Sequence, residues 1–414
     1  MTNEPAVQVA KREETAPRYS RRAYQFLNRL TEGADVPCEF ELPGGETLRF
    51  GSGPPKVRVI CHSPRVLQRP IGDLSFGDAY VKGEIDIEGD IMTLLNLRKR
   101  AEETVRIPPA VKFWWEILSR NPLSVDRRVV KNHYSYGDDF YLSFIDSTYR
   151  LYSHGRFRSE QDTLERASEQ RLEHMSAALE LEPGFRLLDI GCGWGGVEEY
   201  CGERGVRVTG LTLGNDSDRY VNGLISRKNL PCRVLLEDFL AHRPEKPYDA
   251  IVILGVIEHI PYYRRFVEQV WNCLRPGGLL YLDGSATREK YDVSPFSRRY
   301  IYPGSDIHTP LCLHELTEEL MYHGFDVLRI QQEDEDYHLT CRHWASRLDA
   351  SREKIIAGWG EALYRVFRLY LWGGCHAFRN DILHAYQVVA RRTASPGPRP
   401  GRLRRTVRFL QQLA

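Results

Sequence analysis

The sequence predicts an α/β protein: a doubly wound, mostly parallel sheet preceded by a small N-terminal α+β accessory domain. Three observations predict it. Apolar runs that fit buried strands alternate with helical segments from Leu187 to Leu282, the pattern of a parallel sheet with crossover helices. The first run ends in a glycine-dense turn, Asp189-Ile-Gly-Cys-Gly-Trp-Gly-Gly196. Glycine has no side chain and tolerates positive φ, so a ligand can come against the backbone there. Upstream, short β-rich stretches around a Pro-Gly-Gly turn form a different pattern.

Bulk properties set limits. A chain of 414 residues can bury a sizeable core and is long enough for two domains. Apolar residues are 42% and charged residues 27%, ordinary for a globular protein. A formal net charge of +1 supplies no bulk field for nucleic acid, so no nucleic-acid partner is expected. No uninterrupted apolar run is long enough to span a bilayer. Residues 1–22 are polar, without an apolar h-region, and read as a disordered leader rather than a signal peptide. The nine cysteines form no C-x-x-C pair. That argues against a zinc ribbon or disulfide framework, fits a reducing cytosol, and leaves most of them as small buried side chains. No metal is expected.

Residues 23–106 form the accessory domain. Val36–Phe40, Thr47–Phe50 and Val57–Cys61 read as strands, Pro43-Gly44-Gly45 as a turn, and Ile91–Lys99 as a helix. This domain holds no catalytic constellation. Residues 107–130 are a linker helix: Ile107-Pro108-Pro109 breaks structure, Phe113-Trp114-Trp115 opens an amphipathic helix, and Asn121-Pro122 ends it. The larger domain covers residues 131–392. Glu160–Leu181 reads as a helix leading into the glycine turn. Val206–Leu213, Cys232–Leu236, Tyr248–Leu254 and Leu279–Leu282 follow as strands, with a helix at Arg264–Leu274 capped by Arg275-Pro276-Gly277-Gly278. Residues 393–414 are a tail whose Arg402, Arg404, Arg405 and Arg408 stand among Leu and Val. It reads either as a basic amphipathic segment for anionic lipid or as a plain solvated tail.

Gly191, Gly193 and Gly196 fit G-x-G-x-x-G, so the turn alone does not choose a nucleotide. The second strand ends in Leu211-Thr212-Leu213 rather than an acidic residue, which weakens a dinucleotide reading. Asp189, two residues before the first glycine, makes the turn resemble the Asp-x-Gly-x-Gly motif of class I S-adenosylmethionine (SAM) methyltransferases, a Rossmann-like fold. Tyr248-Asp249 and Leu274-Arg-Pro-Gly-Gly278 are similar to their later motifs.

The resemblance narrows further. His133-Tyr134 to Tyr141, Tyr152-Ser-His-Gly-Arg-Phe157, Asp162-Thr-Leu164, Gly191-Cys-Gly-Trp-Gly-Gly196 and Val208-Thr-Gly-Leu-Thr-Leu213 follow one another in order. So do Tyr300-Ile-Tyr-Pro-Gly-Ser305 and Asp336-Tyr-His-Leu-Thr-Cys341. Together they resemble the cyclopropane-fatty-acyl-phospholipid and mycolic acid cyclopropane synthases. Gly77 to Gly89 is similar to the accessory domain of the longer bacterial members. The likeness runs from about residue 55 to 392.

The resemblance implies that SAM is held by Tyr152, Ser153, Asp189, Gly191, Cys192, Gly193, Thr212, Leu213, Asp238 and Phe239. Asp238 would accept from the adenine amino group and Phe239 would pack on the ring. Ser217 stands where the family has a glutamine that contacts the ribose. The family also places a bicarbonate ion as base, ligated by Cys, Glu, His, Ile and Tyr. Here Glu258 and Tyr337 match, but the Cys position is His154, the His position Asp283 and the Ile position Ser285. Bicarbonate is therefore left open. Glu258, Asp283 and His154 are expected around one site, where the cluster would be its own general base with His154 poised near neutral pH. The plainer alternative pairs Asp283 with His154.

The expected function is SAM-dependent methyl transfer to the double bond of an unsaturated acyl chain, in a phospholipid, giving a cyclopropane, methyl-branched or methylene chain. Tyr291–Leu320 would be the substrate cap and, with Tyr364–Tyr386, line an apolar tunnel. The protein would work in the cytoplasm at the inner membrane face as a peripheral enzyme, with homodimerisation left open. The alternative is a C-methyltransferase for another unsaturated small molecule, such as a polyketide. A non-catalytic lipid-binding relative is disfavoured by the retained Glu258, Tyr337 and SAM motifs.

Overall fold

A computed structural model describes residues 35–66, 72–97, 136–303 and 308–397. The leader at 1–22, the linker helix at 107–130 with Phe113-Trp114-Trp115, His133 and Tyr134, Gly304 and Ser305, and the basic residues of the tail lie outside the described residues. The described chain divides into two compact units. One comprises residues 35–66, 72–97, 294–301 and 352–376; the other holds the remainder.

In the smaller unit, β1 (Cys38–Glu41), β2 (Thr47–Phe50), β3 (Val57–Cys61) and β4 (Ile85–Gly89) form a sheet in the order β2-β1-β3-β4. Gly44 and Gly45 both take positive φ, which lets β1 turn back onto β2. α1 (Asp73–Val81) precedes β4, and Asp90 caps α2 (Ile91–Leu95) by accepting from the Met92 amide. The short helix Pro295–Tyr300 belongs here. The Tyr300 hydroxyl donates to Asp78, and a Cβ on Gly77 would stand 2.3 Å from the Phe296 ring. Residues 294–301 and 352–376 were expected within the larger domain. Their contacts place them with the N-terminal strands instead, because aromatic and arginine side chains tie them to α1 and β4.

The larger unit is the expected doubly wound, mostly parallel sheet. Its strands are β5 (Arg186–Ile190), β6 (Arg207–Thr212), β7 (Arg233–Leu236), β8 (Tyr248–Leu254), β9 (Leu274–Ala286), β10 (Phe325–Gln332) and β11 (His384–Arg392), in the order β10-β11-β9-β8-β5-β6-β7. β11 runs antiparallel to β9 and β10; the rest are parallel. Ala250, Ile251, Val252 and Ile253 of β8 are all fully buried, as a strand covered on both faces must be. The chain reverses its direction of progress across the sheet between β5 and β8. Ligands of open α/β sheets bind at that point.

One strand differs from expectation in a way that matters. β9 begins at Leu274, paired with Tyr248, then shifts register so that Leu279 pairs with Ala250. Residues 275–278 are thus an irregularity in the strand rather than a helix cap. β9 also runs on to Ala286, because β11 pairs with it as far as His384. Asp283 and Ser285 therefore sit two apart on one regular strand and share a face.

Candidate active site

The glycine turn follows β5. The amides of Gly191 and Cys192 both donate to the Leu211 carbonyl at 3.0 Å, which pins the turn to β6. Gly191 takes φ 87°, and a Cβ there would stand 2.6 Å from a Val256 methyl. Gly193 also has positive φ, but nothing lies within 4 Å of where its Cβ would be. The turn is thus tight against the fold on one side and open on the other. Ser217 donates to the Gly193 carbonyl and so braces the turn. The Thr212 hydroxyl accepts from the Gly214 amide at 3.1 Å, setting the direction of Leu213. Asp238 uses one carboxylate oxygen as a loop cap on the Leu240 amide, at 2.9 Å. Phe239 is buried in the core, its ring tilted on Phe266 at 5.7 Å.

Two carboxylates lie behind the turn. Asp189 is buried at the end of β5, and burial pushes it up to about 7. Glu198, in the helix Gly196–Gly202, is fully buried, and neither oxygen has a hydrogen-bond partner beyond its own backbone. Burial, then the Asp189 charge, raises it well above the usual carboxylate range.

The segment from Asp146 to Phe157 brings Tyr152, Ser153 and His154 to the carboxyl ends of the strands. The Asp146 carboxylate accepts from the amides of Thr148, Tyr149, Arg150 and Leu151 at 2.6–3.1 Å, fixing the turn ahead of them. The Tyr152 ring stacks on Trp344 at 5.2 Å and meets Tyr141 edge-on. The Gly155 amide donates to Thr340 and the Phe157 amide to Asp336, both from the helix Asp334–Ala350.

Arg171 organises the centre. It stands on the buried stripe of the helix Leu164–Ala178 with Leu164, Ala167, Leu172 and Met175. Its guanidinium donates to Ser153 Oγ at 2.6 Å, to the His154 carbonyl, and to both Asp283 oxygens at 2.6 and 2.5 Å. Asp283 is consequently not the partner of His154. That partner is Glu333, whose Oε2 lies 2.8 Å from His154 Nε2. His154 is 1% exposed, and burial, reinforced by the Arg171 charge, pushes it down to about 3. It is not poised near neutral pH, because a buried ring beside a guanidinium resists a second positive charge. Its Nδ1 has no hydrogen-bond partner. The ring lies flat on Tyr337 at 4.5 Å, and Tyr337 stacks in turn on Phe378 at 4.5 Å.

Glu258 follows β8 in a short turn, Ile257–His259. The Ser285 amide and hydroxyl both donate to its Oε1 at 2.8 Å. Gly284 permits this approach, since a Cβ there would stand 3.1 Å from Oε1. Oε2 is buried and has no partner. Burial raises the carboxyl to about 7. Sequence reasoning missed Arg171, Glu333 and the Ser285 contact. Only Arg171 left a signal, a charge on an otherwise apolar helical stripe.

These residues fit SAM in one concrete respect: the backbone at Gly193 is an open cradle that a side chain would fill. They do not fit bicarbonate. Two of the three altered positions are taken up within the protein, Asp283 by Arg171 and His154 by Glu333.

The strand order, with its one reversed strand and the glycine turn after β5, defines a class I SAM-dependent methyltransferase. Residues 123–388 match the mycolic acid cyclopropane synthetase family, and the chain belongs to it. Residues 25–114 match a domain of unknown function. The chain is 25% identical over 379 residues to a probable fatty acid methyltransferase of Pseudomonas putida, covering 86% of this chain and 92% of that one. It is 27% identical over 341 residues to a sphingolipid C9-methyltransferase of Candida albicans, covering 77% of this chain and 66% of that protein. The structure of the mycolic acid cyclopropane synthase CmaA1 complexed with SAH and CTAB superposes with a TM-score of 0.59 at 27% identity, over 66% of this chain and all of the other.

Proposed function

We propose that this enzyme methylates a carbon–carbon double bond in an unsaturated fatty acyl chain, carried by a phospholipid, and releases a cyclopropane, methyl-branched or methylene chain. The observation that carries the reading is the buried, unpartnered Oε2 of Glu258 at the open end of the sheet. An alkene gains positive charge when it is alkylated, and a desolvated carboxylate with one oxygen free stabilises such charge. The names of relatives that act on fatty acids, sphingolipids and mycolic acids support an acyl substrate.

SAM, when bound, supplies an electrophilic methyl group. Tyr152, Ser153, Gly191, Cys192, Gly193, Thr212 and Leu213 would hold it, with Asp189 behind the turn and Asp238 and Phe239 supporting the loop after β7. Glu258 offers its free oxygen to the cationic substrate carbon, held in place by Ser285. Tyr337 orders the pocket through its stack with His154. His154, neutral at working pH, accepts the proton lost from the substrate. Asp283 acts through Arg171 to fix the backbone of residues 153 and 154. Among the described residues no helix is long and apolar enough to cross a membrane, so a phospholipid would be reached by peripheral contact.

The test is incubation with methyl-labelled SAM and vesicles of mixed unsaturated phospholipids, followed by mass analysis of the acyl chains. A gain of one CH₂ on the acyl chain supports the reading. Label recovered only on head groups, or none on lipid while other alkenes are methylated, overturns it.

A further inference from the structure

A protein-borne base buried beside the substrate must keep a lone pair free and its ring in one tautomer. His154 is 1% exposed, so a buried partner has to set that tautomer. Glu333 is 2–3% exposed and, among the described residues, is the imidazole's hydrogen-bond partner, at Nε2. Its other oxygen lies 3.6 Å from the guanidinium of Arg156, a side chain that is 27% exposed. Imidazole and carboxylate thus form a buried pair, closed on its outer side by the Arg156 guanidinium, whose facing Nη1 is itself buried.

The direction of the proton follows from the unpartnered Nδ1. A buried N–H without an acceptor is costlier than an empty lone pair. The proton therefore sits on Nε2 and is donated to Glu333, and Nδ1 is left as the acceptor. The charges facing the ring agree. Burial raises the Glu333 carboxyl, and Arg171, from the helix Leu164–Ala178, and Arg156, on the ring's own segment, oppose that shift. Asp283 of β9 is neutralised by Arg171, while Asp336 and the stacked Tyr337 come from the helix Asp334–Ala350.

We propose that Glu333 is the positioning residue of the proton-accepting step: it holds His154 in the Nε2-protonated tautomer, so that Nδ1 is the acceptor, and its carboxylate balances the charge the ring gains. In that step a substrate C–H bond breaks, and its electron pair closes the ring or forms the new double bond. The proton goes to His154 Nδ1. The imidazolium so formed keeps its Nε2–H on Glu333, and when product leaves, the Nδ1 proton is lost to water entering the vacated pocket, which returns the same neutral tautomer. No redox partner is needed. This inference rests on the acyl-methylation reading for the identity of the C–H bond and for His154 as the proton acceptor.

The decisive measurement needs no methyl donor. Full-length protein labelled with ¹⁵N-histidine, assigned with His154→Gln, is followed by NMR from pH 5.5 to 8.5. His154 is expected to stay neutral throughout with the proton on Nε2. In Glu333→Gln the amide NH₂ donates to Nε2, so the two ring nitrogens exchange roles. That variant should also turn over unsaturated phosphatidylglycerol vesicles about 100-fold more slowly with KM unchanged, and Glu333→Asp should restore part of the loss. A wild-type His154 that titrates in this range, or that carries its proton on Nδ1, overturns the proposal, as does a Glu333→Gln variant with unaltered tautomer and kcat. If wild-type enzyme methylates no acyl chain, the functional reading falls, while the NMR result still decides the role of Glu333.

Discussion

Arg171 Nη2 lies 2.6 and 2.5 Å from the two oxygens of Asp283, and both side chains are at most 1% exposed. A buried pair of this kind is weak evidence of stability but strong evidence of organisation, because each partner alone would be a buried uncompensated charge. Arg171 spends its remaining donors on Ser153 and the His154 carbonyl. The pair therefore joins β9 to the segment that carries Ser153 and His154.

Arg171→Met is expected to destabilise the protein by about 3–5 kcal/mol, since it strands the Asp283 charge. Arg171→Met combined with Asp283→Leu should cost less than the sum of the two single changes. Chemical denaturation of the four proteins measures this. Single variants that cost under about 1 kcal/mol would remove the organising role.

Glu258 governs the second prediction. Its carboxyl is raised to about 7 by burial, and the proposed role in the reaction requires it ionised. Activity should rise tenfold per pH unit below about 7 and level off above it. Stability runs the opposite way. A carboxyl raised above its ordinary value of 4.5 favours folding in its protonated form, so its contribution is full below 4.5 and is lost as pH rises through 7. The pH of best activity is thus one where Glu258 weakens the fold. Glu258→Gln should lower kcat about 10²–10³-fold and flatten the acid limb of the profile. A limb that persists in this variant would belong to another group.

Bicarbonate gives a third. With Asp283 held by Arg171 and His154 by Glu333, two of the positions that would ligate bicarbonate are taken up within the protein. Turnover in carbonate-free buffer under argon should equal turnover in bicarbonate, and added bicarbonate should not change kcat. A several-fold stimulation by bicarbonate would contradict the reading of the pocket.

Much of this was legible in the chain. Buried parallel strands are near-continuous apolar runs, so Tyr248–Leu254 announces itself, and the glycines at 191 and 193 occupy positive φ that other residues avoid. What stayed hidden are pairings across long separations. Arg171 meets Asp283 over 112 residues and His154 meets Glu333 over 179. No local period brings such residues together; only the sheet order does. The reach of β9 to Ala286 was missed for the same reason, since β11, nearly a hundred residues on, extends it. Residues 352–376 were misjudged because a helical pattern reports an apolar face without saying which unit covers it.

Glu198 supplies the last prediction. It is fully buried behind the glycine turn, its carboxylate has no partner beyond its own backbone, and a Cβ on Gly210 would stand 2.3 Å from its Oε1. Burial and the neighbouring Asp189 both raise it. Its protonated form is the one the fold accepts, so stability is retained in acid and lost as pH climbs above the ordinary carboxylate range. Glu198→Met keeps the length and removes the ionisable group. It should stabilise the protein by about 1–3 kcal/mol at pH 8 and by much less at pH 5, and denaturation at the two pH values separates these cases. Equal gains at both would reflect better packing alone. A net loss at pH 8 would mean that the carboxylate has a partner in solution.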